Sequence, residues 1–413
     1  MTNRILFFIC FSAAGIFAQQ ANQKVYLNTY VIPSDSNYNC YVTYKVPYRN
    51  LVFTKNDNSF VGGLSFIIEV SSGDSVIANR STDQLIKLDE YDETNSGNEY
   101  LEGLISLPLD TGKYEIQPVI KVLNTDNEYR LKNVDLKIDS TSTGSFIKPL
   151  VTYSNRFECG NTENPRLYNS DDVIPYSSVN YDLLIPVADT AFKYIDVEIH
   201  VRDSTIFSKR INKYYRYGLV LEKCNGAVIA VNKPGSILFN IFELNNFTNR
   251  LDEGIIDLKI SHGEKQKKYN LNVVWVNKPR ALYNIEFAID LLSIIGEGSI
   301  IESIKDLGEE RYYLGLKEFW KKYDPDPATP FNELMYEFYR RVDYAEKNFS
   351  ALGDSEGVFS DRGKIYIKYG EPTKIERKYS EKNDILEIWE YSKINKTFIF
   401  SDKTGVGNFE LIE

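Results

Sequence analysis

The sequence predicts a multidomain chain: two all-β, immunoglobulin-like sandwiches, then a C-terminal α+β domain of about four helices and a small antiparallel sheet. Three observations predict it. The 413 residues suffice for two to four domains at roughly 100–200 residues each. Short β-branched and aromatic runs, separated by turn residues, fill the chain up to Asn277-Lys278-Pro279-Arg280. Beyond that point the apolar residues recur at three and four positions, the period of a helix.

Composition narrows the chemistry. Charged residues make up 26% and hydrophobic ones 43%, the balance of a globular chain. Aromatics reach 14%, with 30 Tyr and 23 Phe, against 2 His and 2 Met. Two histidines cannot build a three-His zinc centre. A net charge of −10 argues against nucleic acid as the main partner. No metal or cofactor is called for.

The elements follow in order. Met1–Gln20 reads as a secretory signal: Arg4 gives a positive start, Ile5 to Phe17 a short apolar run, and Ala18 a small residue at the cleavage point. Removing residues 1–18 takes Arg4 away and leaves −11. No other stretch reaches the roughly 18 apolar residues of a membrane span, so no transmembrane helix is expected in the mature chain. The first sandwich is placed at residues 24–140, with strands at Tyr41 to Val46, Leu64 to Val70 and Tyr114 to Ile120. Leu109-Asp110-Thr111-Gly112-Lys113-Tyr114 has the form of a tyrosine corner. Asp89 to Glu93 reads as a solvated acidic loop. Thr141–Ser145 is a candidate linker.

The second sandwich is placed at residues 146–278, with strands at Tyr181 to Val187, Tyr194 to Val201 and Asn270 to Val276. Leu251 to Leu258 echoes Leu109 to Ile116, with Ile256 where the first copy has Tyr114. Cys159 and Cys224 fall in this domain and are able to pair in an oxidising compartment. The alternative is three small buried thiols, Cys40 included.

The C-terminal domain is placed at residues 281–413. Helices are expected around Leu282 to Leu292, Ile301 to Leu307 and Tyr313 to Tyr323. A fourth has Thr329 as N-cap, Pro330 at its first position and Phe331, Leu334, Met335, Phe338, Val342, Ala345 and Phe349 as its apolar stripe. After Gly363 the period becomes two, so Ile365 to Lys368 reads as a strand, followed by Leu386 to Tyr391, Thr397 to Phe400 and Asn408 to Ile412. This third of the chain is acidic: residues 281–413 hold 18 Lys plus Arg against 26 Asp plus Glu.

Several motifs here occur in a fixed order: Phe319-Trp320, Asp324-Pro325-Asp326-Pro327-Ala328-Thr329, Asn332-Glu333, Tyr339-Arg340-Arg341-Val342, Gly357 to Gly363, Tyr366 to Pro372, and Ile388-Trp389-Glu390-Tyr391. Phe398-Ile399-Phe400, Gly405 and Gly407 close the series. From about residue 282 onward the chain resembles the GWxTD-domain family of exported bacterial proteins. The family's Gly-Trp-x-Thr-Asp reads Gly357-Val358-Phe359-Ser360-Asp361. The Trp is replaced by Val358, with Phe359 adjacent, and Ser360 keeps the hydroxyl of Thr. The resemblance implies an exported protein of a Bacteroidota-like envelope, and it implies no biochemical activity.

The candidate site residues are therefore Trp320, Asp324, Asp326, Thr329, Glu333, Arg341, Gly357, Asp361, Arg362, Gly363, Gly370, Pro372 and Trp389. None is assigned as catalytic. Asp324 and Asp326 are hard-cation ligands in type, but two carboxylates are too few, and a Pro-locked turn is the preferred reading. Lining a cleft with Glu333 and Arg341 would give Asp361 and Arg362 acid–base work; they are read instead as a charged lock between helix and sheet. His200 and His262 accompany no nucleophile motif, and Gly405-Val406-Gly407 lacks a strand–helix context for phosphate. The expected function is a non-enzymatic cell-envelope module that binds a protein partner, in the periplasm, at the outer membrane or secreted. A glycan hydrolase, or a carbohydrate-binding protein, is the alternative.

Overall fold

A computed structural model describes residues 25–139, 145–170, 172–350, 357–381 and 383–413. The export signal and residues 141–144 of the candidate linker lie outside the described residues. The chain divides into two compact units. One takes the described residues of Met1–Pro175, Val179–Thr248 and Glu253–Val274; the other takes those of Tyr176–Ser178, Asn249–Asp252 and Trp275–Glu413.

The first unit begins with β1 (Tyr26–Pro33), β2 (Tyr38–Pro47), β3 (Thr54–Asn56), β4 (Ser59–Ser72) and β5 (Ser75–Leu88). A short helix α1 (Tyr91–Thr94), β6 (Tyr100–Leu109), β7 (Gly112–Val122), β8 (Glu128–Arg130) and β9 (Val134–Ile138) follow. The acidic run expected as a loop thus holds one helical turn, with Asp92 and Glu93 in its first turn, where carboxylates favour the positive end of the dipole. Strands β1, β2 and β6 form one antiparallel sheet. The other is built on β4 and β7, with β3 and β5 on β4 and β8 and β9 on β7. Leu64, Phe66, Ile68 and Val70 alternate inward along β4 and are fully buried, as the two-residue period requires. The Tyr114 hydroxyl donates to the Asp110 carbonyl at 3.0 Å, the bond of a tyrosine corner.

Strand β2 is buried on both faces from Cys40 to Pro47. Cys40, Val42, Tyr44 and Val46 enter the core shared with β4 and β7. Tyr41, with Tyr30 and Ile32 of β1, enters a second core with Leu150, Leu167, Leu184, Leu219 and Ile241. On that second face Thr43 bonds to the side chain of Asn169. Lys45 lies 4.2 Å from the ring centre of Tyr100 and 4.5 Å from that of Tyr168, a cation between two π-faces. Burial pushes its ammonium toward the neutral form, against the pull of Glu102.

The later strands of this unit are β10 (Leu150–Cys159), β11 (Thr162–Leu167), β12 (Val173–Pro175), β13 (Tyr181–Val187), β14 (Ile195–Val201) and β15 (Ser204–Ile211). They continue with β16 (Tyr214–Cys224), β17 (Ala227–Asn232), β18 (Leu238–Leu244), β19 (Gly254–His262) and β20 (Lys265–Val274). Where the sequence suggests two separate sheets, six strands close into a barrel in the order β10, β11, β17, β16, β18, β13. Two strands change partner to close it. Tyr214 to Gly218 of β16 pair with β18, and Leu219 to Cys224 pair with β17. Gly218 sits at the switch, where a Cβ would lie 2.5 Å from the Lys233 carbonyl oxygen. Glycine is the residue that lets a strand turn such a corner. β10 likewise divides between β13 and β11, with a register shift after Thr152. A five-stranded sheet, β12, β20, β19, β14, β15, completes the unit. Cys159 and Cys224, at the ends of β10 and β16, form a disulfide.

The second unit carries α2 (Ile285–Asp290), α3 (Gly298–Lys305), α4 (Tyr312–Lys321), α5 (Glu333–Phe349) and α6 (Asp361–Tyr369). The antiparallel sheet β21 (Lys374–Tyr379), β22 (Ile385–Tyr391), β23 (Lys396–Asp402), β24 (Glu410–Leu411) follows, paired in chain order. Two expectations are corrected. Asn332, not Thr329, caps α5: its side-chain oxygen accepts from the Met335 amide at 2.7 Å, so the helix starts three residues later and Leu334 falls on its exposed side. Ile365 to Lys368 lies in α6 rather than in a strand. Arg362, Gly363, Tyr366 and Ile367 are its buried residues, a helical spacing. Among the described residues no helix is long and apolar enough to cross a membrane.

Candidate functional site

The signature segment is a helix cap. The Ser360 hydroxyl donates to the Gly357 carbonyl at 2.7 Å and accepts from the Gly363 amide at 3.0 Å. It is the N-cap of α6, and hydroxyl residues are preferred there because they satisfy an orphan amide. Both glycines are dictated by contact. A Cβ on Gly357 would lie 2.3 Å from the Ala345 carbonyl oxygen. Val358 is fully buried, while its neighbour Phe359 is 39% exposed and meets Phe287 edge-on at 6.5 Å. Asp361 accepts from the Leu411 amide at 2.8 Å, tying the last strand to the first turn of α6.

Arg362 enters the core. Its guanidinium lies 4.0 Å from the Phe409 ring centre and 5.1 Å from that of Phe349, and 3.4 Å from Glu387. Burial lowers its affinity for the proton, and Glu387 opposes that. Glu387 also accepts from Arg377 at 2.8 Å and from the Trp389 indole at 2.9 Å. Trp389 is buried against Phe349 and Phe400. Gly405 and Gly407, at positive φ, direct their amides to the buried Asp402 carboxylate at 2.8 and 2.7 Å. Burial works to raise the Asp402 pKa, and these amides with Thr404 outweigh it, so the net shift is downward. The Gly405-Val406-Gly407 loop thus already holds an anion, its own aspartate.

Arg341 closes the other end of α6. It pairs with Glu337 at 2.7 Å and donates to the Ile367 carbonyl at 3.3 Å, where a cation favours the helix C-terminus. The Glu337 carboxyl is lowered: Arg340 and Arg341 outweigh burial. Gly370 ends the helix at φ 80°, and its carbonyl accepts from the Tyr391 hydroxyl at 2.9 Å. Pro372 follows in the turn into β21.

The Asp-Pro-Asp-Pro segment folds into two consecutive turns. Asp324 accepts from the Asp326 amide at 3.0 Å, and Asp326 from the Ala328 amide at 3.2 Å. The Thr329 hydroxyl donates to the Asp326 carbonyl at 3.3 Å. The Trp320 indole N–H and one Glu333 carboxylate oxygen are buried without a hydrogen-bond partner among the described residues. No group of three or more His, Cys, Asp and Glu able to hold a metal is present among the described residues.

Nine of the thirteen candidate residues separate into three places. Gly357, Asp361, Arg362, Gly363 and Trp389 build the joint between α6 and the sheet. Trp320 and Arg341 reach a groove of about 250 Å³ with Tyr323, Leu334, Phe338 and Ile367. Asp324 and Thr329 edge a cavity of about 290 Å³. The walls of that cavity were missed by sequence reading: Tyr176, Trp275 and Tyr313, with Lys317 paired to Asp252 at 2.6 Å. They come from four distant points of the chain, and no local pattern marks them.

Comparison with known proteins gives one family. No curated protein matches. A solved structure described as "Anomalous substructure of Titin-A168169" is similar at 7% identity over 60% of this chain and 97% of that chain, with a TM-score of 0.13, too low to bear on the fold. Residues 261–412 match the family model of the GWxTD domain. The cap at Ser360, the glycines around it and the Asp361 tether give that signature its physical content, and it is the C-terminal third of this chain that matches the GWxTD domain.

Proposed function

We propose that the protein is an exported, non-enzymatic component of the cell envelope, and that its GWxTD domain docks a protein partner. In this reading residues 24–140 and 146–278 are spacer or docking modules. The observation that carries it is the groove between α4, α5 and α6. Its floor is apolar, with Trp320, Phe338 and Ile367; Leu334 and Tyr323 stand exposed at its edge, and Glu297, Glu337, Arg341 and Lys368 ring it. An apolar centre with a charged rim is the anatomy of a protein interface. The candidate carboxylates favour the same reading. Asp324, Asp326 and Asp361 each accept a backbone amide, which suits a scaffold better than acid–base work.

The test is site-specific photocrosslinking in intact envelopes from Leu334, with Tyr379 on β21 as control. A discrete adduct from Leu334 alone, lost in the Arg341→Glu protein, supports docking at the groove. Equal labelling from both positions, or none, overturns it. Fractionation should find the chain outside the cytoplasm and shortened by the signal; an intact cytoplasmic chain would end the export part of the proposal.

A further inference from the structure

The cavity edged by Asp324 and Thr329 belongs to none of the family motifs as a whole. Its volume is about 290 Å³, the lower end of the range for small-ligand sites. Three aromatic side chains wall it: Tyr176, Trp275 and Tyr313. Tyr176 and Trp275 meet edge-to-face at 5.5 Å, and Phe331 packs behind both at 5.2 and 5.4 Å. The Lys278 ammonium lies 4.9 Å from the Tyr313 ring centre and 5.5 Å from that of Trp275. The rings are therefore held in place before any ligand arrives.

The polar groups are matched in charge. Lys317 donates to both oxygens of Asp252, at 2.9 and 2.6 Å. Lys321 stands 4.0 Å from Glu318. Asp324 adds a further carboxylate. A phosphate or sulfate would meet three carboxylates here, and a small cation would meet two ammonium groups. A purely apolar ligand would strip water from all of them without replacing its hydrogen bonds, at a cost in affinity. A hydroxyl both donates and accepts, so it satisfies a carboxylate and an ammonium that stand side by side.

We propose that this cavity binds a neutral pyranose sugar, one C–H face of the ring stacked on Tyr313, which the buried Trp275 backs, and its hydroxyls shared among Lys317, Asp252 and Asp324. The site is independent of the protein-docking groove, and either can fail alone. A proline-rich peptide is the competing occupant of an aromatic wall. It would leave the carboxylate groups unmatched, because a proline residue offers a carbonyl acceptor but no donor.

The experiment is saturation-transfer NMR on the whole exported chain. The probes are glucose, galactose, mannose, N-acetylglucosamine and their β-linked disaccharides, with glucuronic acid, a sulfated hexose and a polyproline decamer as comparisons. Binding of at least one neutral sugar is expected. Tyr313→Ala should weaken it about tenfold, the loss of one stacking partner, and Tyr313→Phe should retain it. Circular dichroism and thermal melting of both variants identify a folding defect; in that case competition of the sugar with tetranitromethane nitration of the partly exposed Tyr313 in the unmutated chain, read by peptide mass spectrometry, gives the answer. Saturation transfer to none of the neutral sugars overturns the proposal. So does tighter binding of the charged sugars or of the peptide, binding that is insensitive to Tyr313→Ala in a folded protein, or a bound sugar that leaves Tyr313 unprotected.

Discussion

Gly363 lies so close to Gly357 that a Cβ on Gly363 would sit 1.9 Å from the Gly357 carbonyl oxygen. The two glycines of the signature segment are thus in contact, and Ser360 bonds to both. Gly363→Ala must push the cap apart, and is expected to cost about 3 kcal/mol, the upper end of overpacking effects. Ser360→Ala should cost about 1 kcal/mol, and Ser360→Thr, which restores the family's residue, within about 0.5 kcal/mol of nothing. Urea denaturation of the three variants checks the order. Equal loss from Ala and Thr at position 360 would refute the capping role.

Glu387 holds Arg362, Arg377 and the Trp389 indole at once. Removing it leaves a buried guanidinium without its counter-charge, so Glu387→Ala should destabilise the protein by about 3–5 kcal/mol. The double variant with Arg362→Met should lose much less than the sum of the single losses. A double-mutant cycle on denaturation free energies measures this, and additivity would count against the pairing.

The Cys159–Cys224 bond spans 65 positions of sequence. Loop-closure entropy for a segment of that length corresponds to about 4 kcal/mol at 25 °C. Serine replacement of both cysteines should lower the stability of the first unit by that order while leaving the second unit's melting unchanged. Calorimetry with and without reductant separates the two.

Burial raises the pKa of many tyrosines: Tyr153 and Tyr217 are pushed up to about 12, and Tyr30, Tyr44, Tyr100, Tyr269 and Tyr391 upward as well. A phenol whose folded pKa is raised contributes stability that is complete below the unfolded value, about 10. That contribution is lost as pH rises through the folded value. Lys45 and Lys223, both shifted downward by burial, work in the opposite sense but are fewer. Stability should therefore fall from about pH 10 upward. A chemical-denaturation series between pH 8 and pH 12, on the order of one point per half unit, would refute this if the midpoint stayed level.

Asp402 is the acid-side counterpart. Its folded pKa is depressed, so its contribution is present above the unfolded value and lost as pH falls through the folded one. The unmutated protein should lose stability below about pH 4, and Asp402→Asn should flatten part of that slope while lowering stability at neutral pH. Parallel slopes in the two proteins would exclude the role.

Much of this was legible in local sequence. Tyr181–Val187 carries the same bounds as the strand read from its apolar run, and the Tyr114 hydroxyl closes the corner read at Leu109 to Tyr114. What failed did so for definite reasons. Ile365 and Ile367 alternate over only four residues, too few to distinguish a strand from a helix once Ser360 supplies a cap. The barrel depends on Gly218 and Thr152, where strands exchange partners, and partner choice is not a local property. Thr329 looked like a cap because Pro330 follows it, but Asn332 offers the better acceptor nearer the apolar stripe. In the signature, the hydroxyl and the glycines could be read as structural only once their distances were known.

Strand β2, buried on both sides, makes the first unit one cooperative body. Its inner amides are shielded by two layers rather than one, so they should be among the last to exchange with deuterium. Cutting the chain between the first β region and the barrel would leave Tyr30, Ile32 and Tyr41 facing water and invite aggregation. A protease or a pulling force applied to this unit should therefore meet a single barrier, where a string of independent β modules would present two.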